Sequence, residues 1–161
     1  MNEKKVVEFI YYENALLNEG RYEEWIDLFD EGGTYWAPMN PDQQDPYEEV
    51  SLYFDDEELM RNRVSRLRHP RVYAQLPPSK SLRMTGNLDV RIDEASQTAE
   101  ASGVLFMQEH RPTLPEPFIR VFSARVKYIL ALHEKGEIKI KNKRVDVLNA
   151  NDVHDSMFVY F

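Results

Sequence analysis

Hydrophobic residues recur at helical spacing in the first part of the chain and alternate with polar residues in the second part. The helical spacing predicts a first helix over residues 3–19 and a short second helix that contains Trp25 and ends at Gly32 and Gly33. A third helix is predicted after Asp55, because Glu58 follows it in a capping-box arrangement. Three helices are therefore expected in the N-terminal half.

The alternating positions predict long antiparallel strands. Apolar residues occupy even positions from Leu82 to Ile92, which places all of them on one face of a strand. In the last long strand the apolar positions change parity, so a β-bulge is predicted near Asn142 and Lys143. The segment from Met157 to Phe161 is predicted to form a final strand. Other strands are predicted over residues 34–37, 49–54, 98–110 and 118–132.

Helices followed by long strands are typical of an α+β fold. We expect one domain over residues 1–161, in which the three helices lie against one face of a strongly curved, mostly antiparallel sheet. Helices that close such a sheet form a cone, and its interior is either filled by side chains or left as a pocket. The sequence leaves these two alternatives open.

Composition and charge exclude several classes of function. A net charge of −8 opposes contact with phosphate backbones, so no nucleic-acid partner is expected. The chain has no cysteine, which excludes a disulfide scaffold, a thiolate–zinc site and a Rieske cluster within this chain. No apolar run approaches the roughly 20 residues that span a bilayer, and the first residues become polar too soon for a signal peptide. A cytoplasmic location is predicted.

Few residues point to chemistry within the chain. The spacing of the histidines matches no metal-binding motif, so no metal site is predicted. Asp27 lies beside the apolar face of the second helix. If its side chain is buried there, it can serve as a general acid or base; the alternative is that it is an ordinary exposed carboxylate. Arginines on the third helix indicate either an interface with carboxylates or a solvated face. The histidines are His69, His110, His133 and His154, and the arginines are Arg61, Arg63, Arg66 and Arg68.

Several segments together resemble the small (beta) subunit of aromatic-ring-hydroxylating dioxygenases. The third-helix run with its R-V-x-R-L pattern, followed about ten residues later by P-P-S, is the most specific part. The resemblance extends over nearly the whole chain and implies a cone of the nuclear-transport-factor-2-like class. The segments that carry it are Tyr22–Phe29, Tyr35–Pro38, Asp55–Leu67, Pro77–Ser81 and Asn87–Val90.

The resemblance also implies an assembly. In that family a homotrimer of small subunits lies beneath a trimer of large (alpha) subunits, giving α3β3, and the large subunit carries the Rieske [2Fe-2S] cluster and the mononuclear iron. The small subunit is mainly structural, so no cofactor is expected in this chain. Candidate positions at or near subunit contacts are Arg63, Arg66, Pro77, Pro78, Ser79 and Lys80.

Two positions depart from the family pattern. Lys80 stands where the family usually has arginine, which keeps the charge and loses the bidentate fork. Residues 122–128 keep only Arg125 of a charged run that is common in the family. If that run sets the contact with the large subunit, this chain uses a divergent partner or pairs differently.

Two other hypotheses remain. A stand-alone dehydratase, isomerase or cyclase of the same fold class acts on a hydrophobic substrate with an acid, a tyrosine or a histidine inside the cone. The candidates for these roles are Tyr12, Asp27, Tyr35 and His110. An open pocket in which they converge favours this enzyme, whereas a packed interior favours a structural subunit. A small-ligand binding module instead predicts an apolar pocket without titratable groups.

Overall fold

The computed structural model describes residues 2–68, 77–112, 116–152, 154, 157 and 159–161. His69 lies outside the described residues. The helices within these ranges are α1 (Glu3–Asn18), α2 (Tyr22–Ile26) and α3 (Glu57–Arg68), and a 3-10 turn spans Glu134–Gly136. The strands are β1 (Phe29–Pro38), β2 (Ser51–Asp55), β3 (Lys80–Asp93), β4 (Thr98–Arg111), β5 (Phe118–Leu132) and β6 (Ile138–Val147).

The six strands form one sheet in the order β2-β1-β6-β5-β4-β3. All neighbours are antiparallel except β1 and β6, which run parallel. Helix α1 packs on one face of this sheet, which we call the covered face, and the opposite side is the open face. The predicted α+β class, with three helices in the N-terminal half, is confirmed. No helix in the described ranges has the length and apolar character needed to cross a membrane.

Helix α1 forms where the spacing predicts it. The Asn2 side chain accepts a hydrogen bond from the Lys5 backbone N–H at 3.1 Å and so caps the first turn. Val6 and Ile10 are fully buried on the face that contacts the sheet. The helix ends before Gly20, whose φ of +70° suits a residue without a Cβ.

The second helix is shorter than predicted, because the two glycines belong to a strand. Phe29 begins β1, and both Gly32 and Gly33 lie within it. A Cβ on Gly33 would lie 2.6 Å from the Ile140 carbonyl oxygen, so this glycine allows β1 to approach β6 closely. Gly32 has a φ of +72°, and the register between the two strands shifts here. The glycines therefore shape the sheet and do not end the helix.

The cap of α3 lies one residue later than predicted. Asp55 ends β2 and is buried, whereas the Asp56 carboxylate accepts a hydrogen bond from the Leu59 N–H at 2.9 Å. The predicted capping box is wrong because Asp55 is held by Arg63, with both guanidinium bonds at 2.7 and 2.8 Å. In β2 the buried side chains are those of Tyr53 and Asp55, which point into the core.

A β-bulge in β3 reverses the faces of that strand. The register against β4 shifts between Gly86 and Asp89, and Asn87 has a φ of +51°. Before the bulge, Arg83 and Thr85 are buried on the covered face and the apolar side chains are on the open face. The expectation of a single apolar face along this strand is therefore wrong. The apolar residues are Leu82 and Met84 before the bulge and Leu88, Val90 and Ile92 after it.

The bulge predicted in the last long strand is confirmed. Ile129 of β5 pairs with Asn142, whereas Leu130 pairs with Ile140, so Lys141 is the extra residue. The shift turns Lys143 toward the covered face, where it is fully buried.

The C-terminal segment is buried but is not a strand in its described residues. Val159, Tyr160 and Phe161 have no strand pairing, yet their exposed fractions are 4% or less. They lie in the core beside α1 and the covered face. The strand predicted for this segment is therefore wrong, and its described end is part of the core.

Candidate functional site

A buried ion pair lies between α1 and the covered face. Lys143 Nζ is 2.6 Å from Glu13 Oε1, and both side chains have no exposed surface. The indole of Trp25 donates to the same oxygen at 2.8 Å, and the Tyr128 hydroxyl donates to Glu13 Oε2 at 3.0 Å. The carboxylate thus accepts three hydrogen bonds, which is the condition under which a buried charge is tolerated.

The C-terminal segment binds to the same cluster through its backbone. Lys143 Nζ donates to the Phe161 carbonyl oxygen at 2.9 Å, and Arg83 Nη2 donates to the Tyr160 carbonyl oxygen at 3.0 Å. The Phe161 N–H donates to the Tyr35 hydroxyl at 3.0 Å. Two buried cations and a tyrosine therefore hold the last residues against the sheet.

Aromatic rings fill the remaining space. The Tyr160 ring lies 4.6 Å from the Trp25 ring and 4.9 Å from the Tyr35 ring, and its hydroxyl donates to Asp55 at 2.7 Å. The Phe161 ring contacts the Phe122 ring at 5.1 Å. Ring pairs at these separations stabilise a core beyond the area they bury. The covered face is therefore packed with this chain's own side chains.

Burial shifts the proton equilibria of the tyrosines in this cluster away from acid–base chemistry at neutral pH. It raises the pKa of Tyr35 and of Tyr128 well above the usual value, so both phenols stay protonated. Burial lowers the pKa of Lys143, and the Glu13 carboxylate opposes that shift. Burial also lowers the pKa of Arg83. A neutral phenol locked in hydrogen bonds is a poor proton donor or acceptor for a substrate.

The four residues considered for a stand-alone enzyme do not converge. Tyr12 is exposed on α1, and the Asp27 side chain is 64% exposed and paired with Arg61 at 2.9 Å. Tyr35 lies in the core, whereas His110 is on β4 opposite Lys80 of β3. Among the described residues no group of three His, Asp or Glu side chains is placed to hold a metal ion.

Sequence reasoning overlooked the charged residues of the core. Glu13 lies three residues after Ile10 and four before Leu17, which is the buried spacing of α1. Lys143 shares the parity of Val145, which follows it on the buried face of β6. Each of the two charged residues occupies a position where the spacing of its element calls for a buried apolar residue. That signal could have identified both, because a buried charge needs a partner of opposite charge.

The candidate contact residues differ in exposure and in whether their side chains are bound within the chain. Arg63 is held within the chain by Asp55, and its guanidinium lies 4.7 Å from the centre of the Tyr53 ring. Arg66 is exposed, and no ion pair involving it is seen in the described part of the chain. Of the described residues just before β3, Pro77 and Pro78 are exposed, and the Ser79 hydroxyl accepts a hydrogen bond from Arg111 at 3.1 Å. Lys80, the first residue of β3, is exposed as well.

The open face carries an apolar patch on neighbouring strands, which we call the open-face patch. Its members are between 46% and 68% exposed, and the strand register makes them neighbours. A groove of about 500 Å³ runs from the end of α1 across Leu82 and His110 to this patch. The patch consists of Leu82 and Met84 on β3, Phe106 on β4, and Ile119 and Val121 on β5.

Comparison with known proteins gives consistent results. The 2-halobenzoate 1,2-dioxygenase small subunit of Burkholderia cepacia is 28% identical over 160 residues, covering 96% of this chain and 93% of that relative. The beta subunit of the benzoate 1,2-dioxygenase from Burkholderia mallei has the same fold, with a TM-score of 0.74, 17% identity and coverage of 96% and 95%.

A second solved structure confirms the predicted fold class. It is an NTF2-like protein with a cystatin-like fold from Novosphingobium aromaticivorans, with a TM-score of 0.60, 14% identity and coverage of 91% and 81%. The family model described as ring hydroxylating beta subunit matches residues 12–152. Since that match spans most of the chain, the protein belongs to the beta subunits of the ring-hydroxylating dioxygenases.

Proposed function

We propose that this chain is a non-catalytic, structural beta subunit that supports the iron-bearing alpha subunit of an aromatic-ring-hydroxylating dioxygenase. The observation that carries the proposal is the filled covered face. Tyr160 and Phe161 are buried in the core of this face, where they fill the interior with the chain's own side chains. Hydrogen bonds from Lys143, Arg83 and Tyr160 itself hold this segment in place.

The proposal assigns the redox chemistry to the partner. The Rieske [2Fe-2S] cluster and the mononuclear iron lie in the alpha subunit, and this chain has no cysteine to offer a cluster. The complex is α3β3 and cytoplasmic, and the beta subunit is one domain over residues 1–161. In this arrangement the beta subunit provides rigidity, and a core held by a buried ion pair and closely packed aromatic rings is suited to that role.

Contacts with the alpha subunit are proposed at two exposed sites. Arg66 on α3 carries a guanidinium that is open to a partner's carboxylate. The second site consists of Pro77 and Pro78, which are exposed just before β3, and of Lys80, the exposed first residue of that strand. Arg63 supports the first site indirectly, because its bond to Asp55 joins α3 to the end of β2.

Reconstitution with the large subunit tests the function. We expect the tagged chain to co-purify with a larger chain that contains iron and acid-labile sulfide. Ring dihydroxylation by the complex should fall when this chain is omitted. Failure to bind any iron–sulfur chain, or full activity of the large subunit alone, would count against the proposal.

Substitutions separate a structural role from a catalytic one. In the assembled complex, Tyr12→Phe, Tyr35→Phe and His110→Gln should leave turnover near the wild-type rate. Each keeps the shape of the side chain and removes its proton chemistry. A large loss of turnover in any of these variants, with assembly intact, would show that the chain takes part in catalysis.

A further inference from the structure

A groove at the edge of the sheet has the volume of a small-molecule site. It is the groove of about 500 Å³ that begins at the end of α1, and we call it the β3 groove because it passes over the first residues of that strand. Cavities that hold small organic ligands in proteins have volumes of about 300–1,000 Å³. None of the described residues that line the groove belongs to the buried ion pair or to the C-terminal segment, so it is a separate feature.

The walls of the β3 groove are mainly apolar. Leu82 of β3 and Ile119 of β5 line it with side chains that are 68% and 60% exposed. Leu17 of α1 and the half-buried ring of Tyr22 line it as well. Walls of this kind favour a ligand that carries an aromatic ring, because its binding buries apolar area on both sides.

The charged groups of the groove leave an excess of positive charge. Glu19, an acid that lines it, is already paired with Arg21 at 2.9 Å. Lys80 is exposed and makes no ion pair within the described ranges. His110 lies opposite Lys80 across the strands, and its ring has no hydrogen bond to a described residue. Basic groups that are left free in this way favour an anionic ligand.

The outer edge of β3 adds a backbone donor beside Lys80. The Asn18 side chain accepts from the Arg83 N–H at 2.8 Å and donates to the Arg83 carbonyl oxygen at 3.0 Å, so these backbone groups point away from β4. Alternate residues of a strand direct their backbone groups to the same side, so the N–H of Ser81, which lines the groove, points to this edge too. No described residue accepts a hydrogen bond from the Ser81 N–H, and a carboxylate would satisfy it.

The number of charges limits the class of anion. Among the described residues that line the groove there is no arginine, the residue whose fork holds a phosphate bidentately, and Lys80 acts as a single point charge. One carboxylate therefore matches the groove better than a doubly charged phosphate. Burial raises the pKa of the Tyr22 hydroxyl, so this phenol stays a neutral hydrogen-bond donor beside the ligand.

We propose that the β3 groove binds an aromatic monocarboxylate. The ring lies against Leu82, Ile119 and Tyr22, and the carboxylate accepts hydrogen bonds from the Lys80 ammonium group and the Ser81 N–H. The site goes beyond the proposed structural function, because it gives a chain without redox chemistry a ligand of its own. Lys80 is also a proposed contact with the alpha subunit, so the site is tested in the isolated full chain, where a failure to bind leaves the proposed function untouched.

Titration of the full chain with 2-naphthoate, followed by amide NMR and by calorimetry, tests the site. We expect saturable binding, with the largest amide shifts at Ser81 and its neighbours. The uncharged 2-naphthamide should bind about tenfold more weakly, since it lacks the charge-assisted hydrogen bonds. Equal affinity for the two compounds, no saturable binding of 2-naphthoate, or shifts confined to residues outside the groove would overturn the proposal.

Paired substitutions examine the two binding groups. Lys80→Gln removes the ammonium group and should weaken binding about tenfold, whereas Lys127→Gln, at an exposed lysine of β5 outside the groove, should leave it unchanged. Ser81→Pro removes the N–H at an edge position, where a strand tolerates proline, and should also weaken binding. Ser81→Ala keeps the N–H and should bind 2-naphthoate as the wild type does.

Circular dichroism checks that each variant is folded. Wild-type affinity in Lys80→Gln, or an equal loss of affinity in a variant and its control, would refute the site. If Ser81→Pro does not fold, the amide shifts of the wild-type chain and the affinity of Lys80→Gln decide the question.

Discussion

Lys143 and Glu13 are 130 residues apart in the chain, yet Lys143 Nζ lies 2.6 Å from Glu13 Oε1 with neither side chain in contact with solvent. The pair joins the sheet to α1, and the same ammonium group holds the Phe161 carbonyl oxygen. One buried lysine thus connects three distant parts of the chain. It thereby holds the helix and the C-terminal segment against the sheet.

Removing one partner of this pair should destabilise the protein strongly. Glu13→Gln leaves the Lys143 ammonium buried without a counter-charge, and breaking a buried pair in this way costs about 3–5 kcal/mol. Urea denaturation at a fixed protein concentration measures the loss. The matched control is Glu8→Gln, which breaks the exposed pair with Lys4 and should change the free energy of unfolding by less than about 1 kcal/mol. Equal effects of the two substitutions would contradict the structural role of the buried pair.

Stability should fall steeply at alkaline pH. Burial raises the pKa of Tyr35, Tyr53, Tyr128 and Tyr160 above the unfolded value near 10, so each contributes stability that is present below pH 10 and lost above it. Above pH 10, each phenol that is still protonated in the folded state but ionised in the unfolded state lowers the free energy of unfolding by roughly 1.4 kcal/mol per pH unit.

The lowered pKa of Lys143 acts in the opposite direction. Between its lowered pKa in the folded state and its pKa of about 10.5 in the unfolded state, this lysine makes the free energy of unfolding rise with pH. Above about pH 10.5 it has no further effect. Urea titrations between pH 8 and 11.5 should therefore show the steepest decline above pH 10.5. The Tyr53→Phe variant should reduce the slope there by one phenol. Tyr53 suits this test because, within the described residues, its hydroxyl makes a single hydrogen bond, to the Val159 carbonyl oxygen at 3.2 Å. A flat profile through this range would show that these phenols ionise freely in the folded state.

The Tyr160 side chain should be among the most costly to remove. Tyr160→Ala takes away the ring between Trp25 and Tyr35, and such aromatic truncations cost about 3–5 kcal/mol. The same change at Tyr12, which is exposed on α1, should cost less than about 1 kcal/mol. If thermal denaturation gave similar losses for both variants, the C-terminal segment would not be part of the core.

Two glycines offer a matched test of the close approach between β1 and β6. Gly33→Ala places a Cβ 2.6 Å from the Ile140 carbonyl oxygen, and the backbones must separate, at a cost of about 1–3 kcal/mol. Gly86→Ala meets no atom within 4 Å and should change stability by no more than about 0.5 kcal/mol. Urea midpoints of the two variants give the comparison. A smaller loss at Gly33 than at Gly86 would show that the sheet does not depend on this approach.

Local spacing was enough to predict several elements. The bounds of β5, 118–132, agree with its alternation, and α1 agrees to within one residue, because a single face of each is buried and apolar. The ends of α2 and the cap of α3 were missed. In both places a tertiary contact decides the structure. Gly33 approaches β6, and Asp55 is held in the core by Arg63, eight residues later, and by the distant Tyr160 hydroxyl.

The candidate site shows the same limit. Asp27 was singled out by its position beside an apolar helix face and Tyr12 by its residue type. Convergence depends on tertiary geometry, and both side chains are exposed. Glu13 and Lys143 were not singled out, although each occupies a buried position of its own element. Only the folded chain shows that the two charges meet.

The two β-bulges mark the boundary between what the sequence determines and what it leaves to the fold. In β6 both halves of the strand bury their apolar residues, so the change of parity is visible in the sequence and the bulge was predicted. In β3 the bulge is hidden, because Leu82 and Met84 are apolar on the open face while Leu88 packs in the core at the same parity. Alternation reports a buried face only where every apolar residue is buried. The sequence therefore determined the fold class and most elements, and the tertiary structure decided which apolar residues face outward.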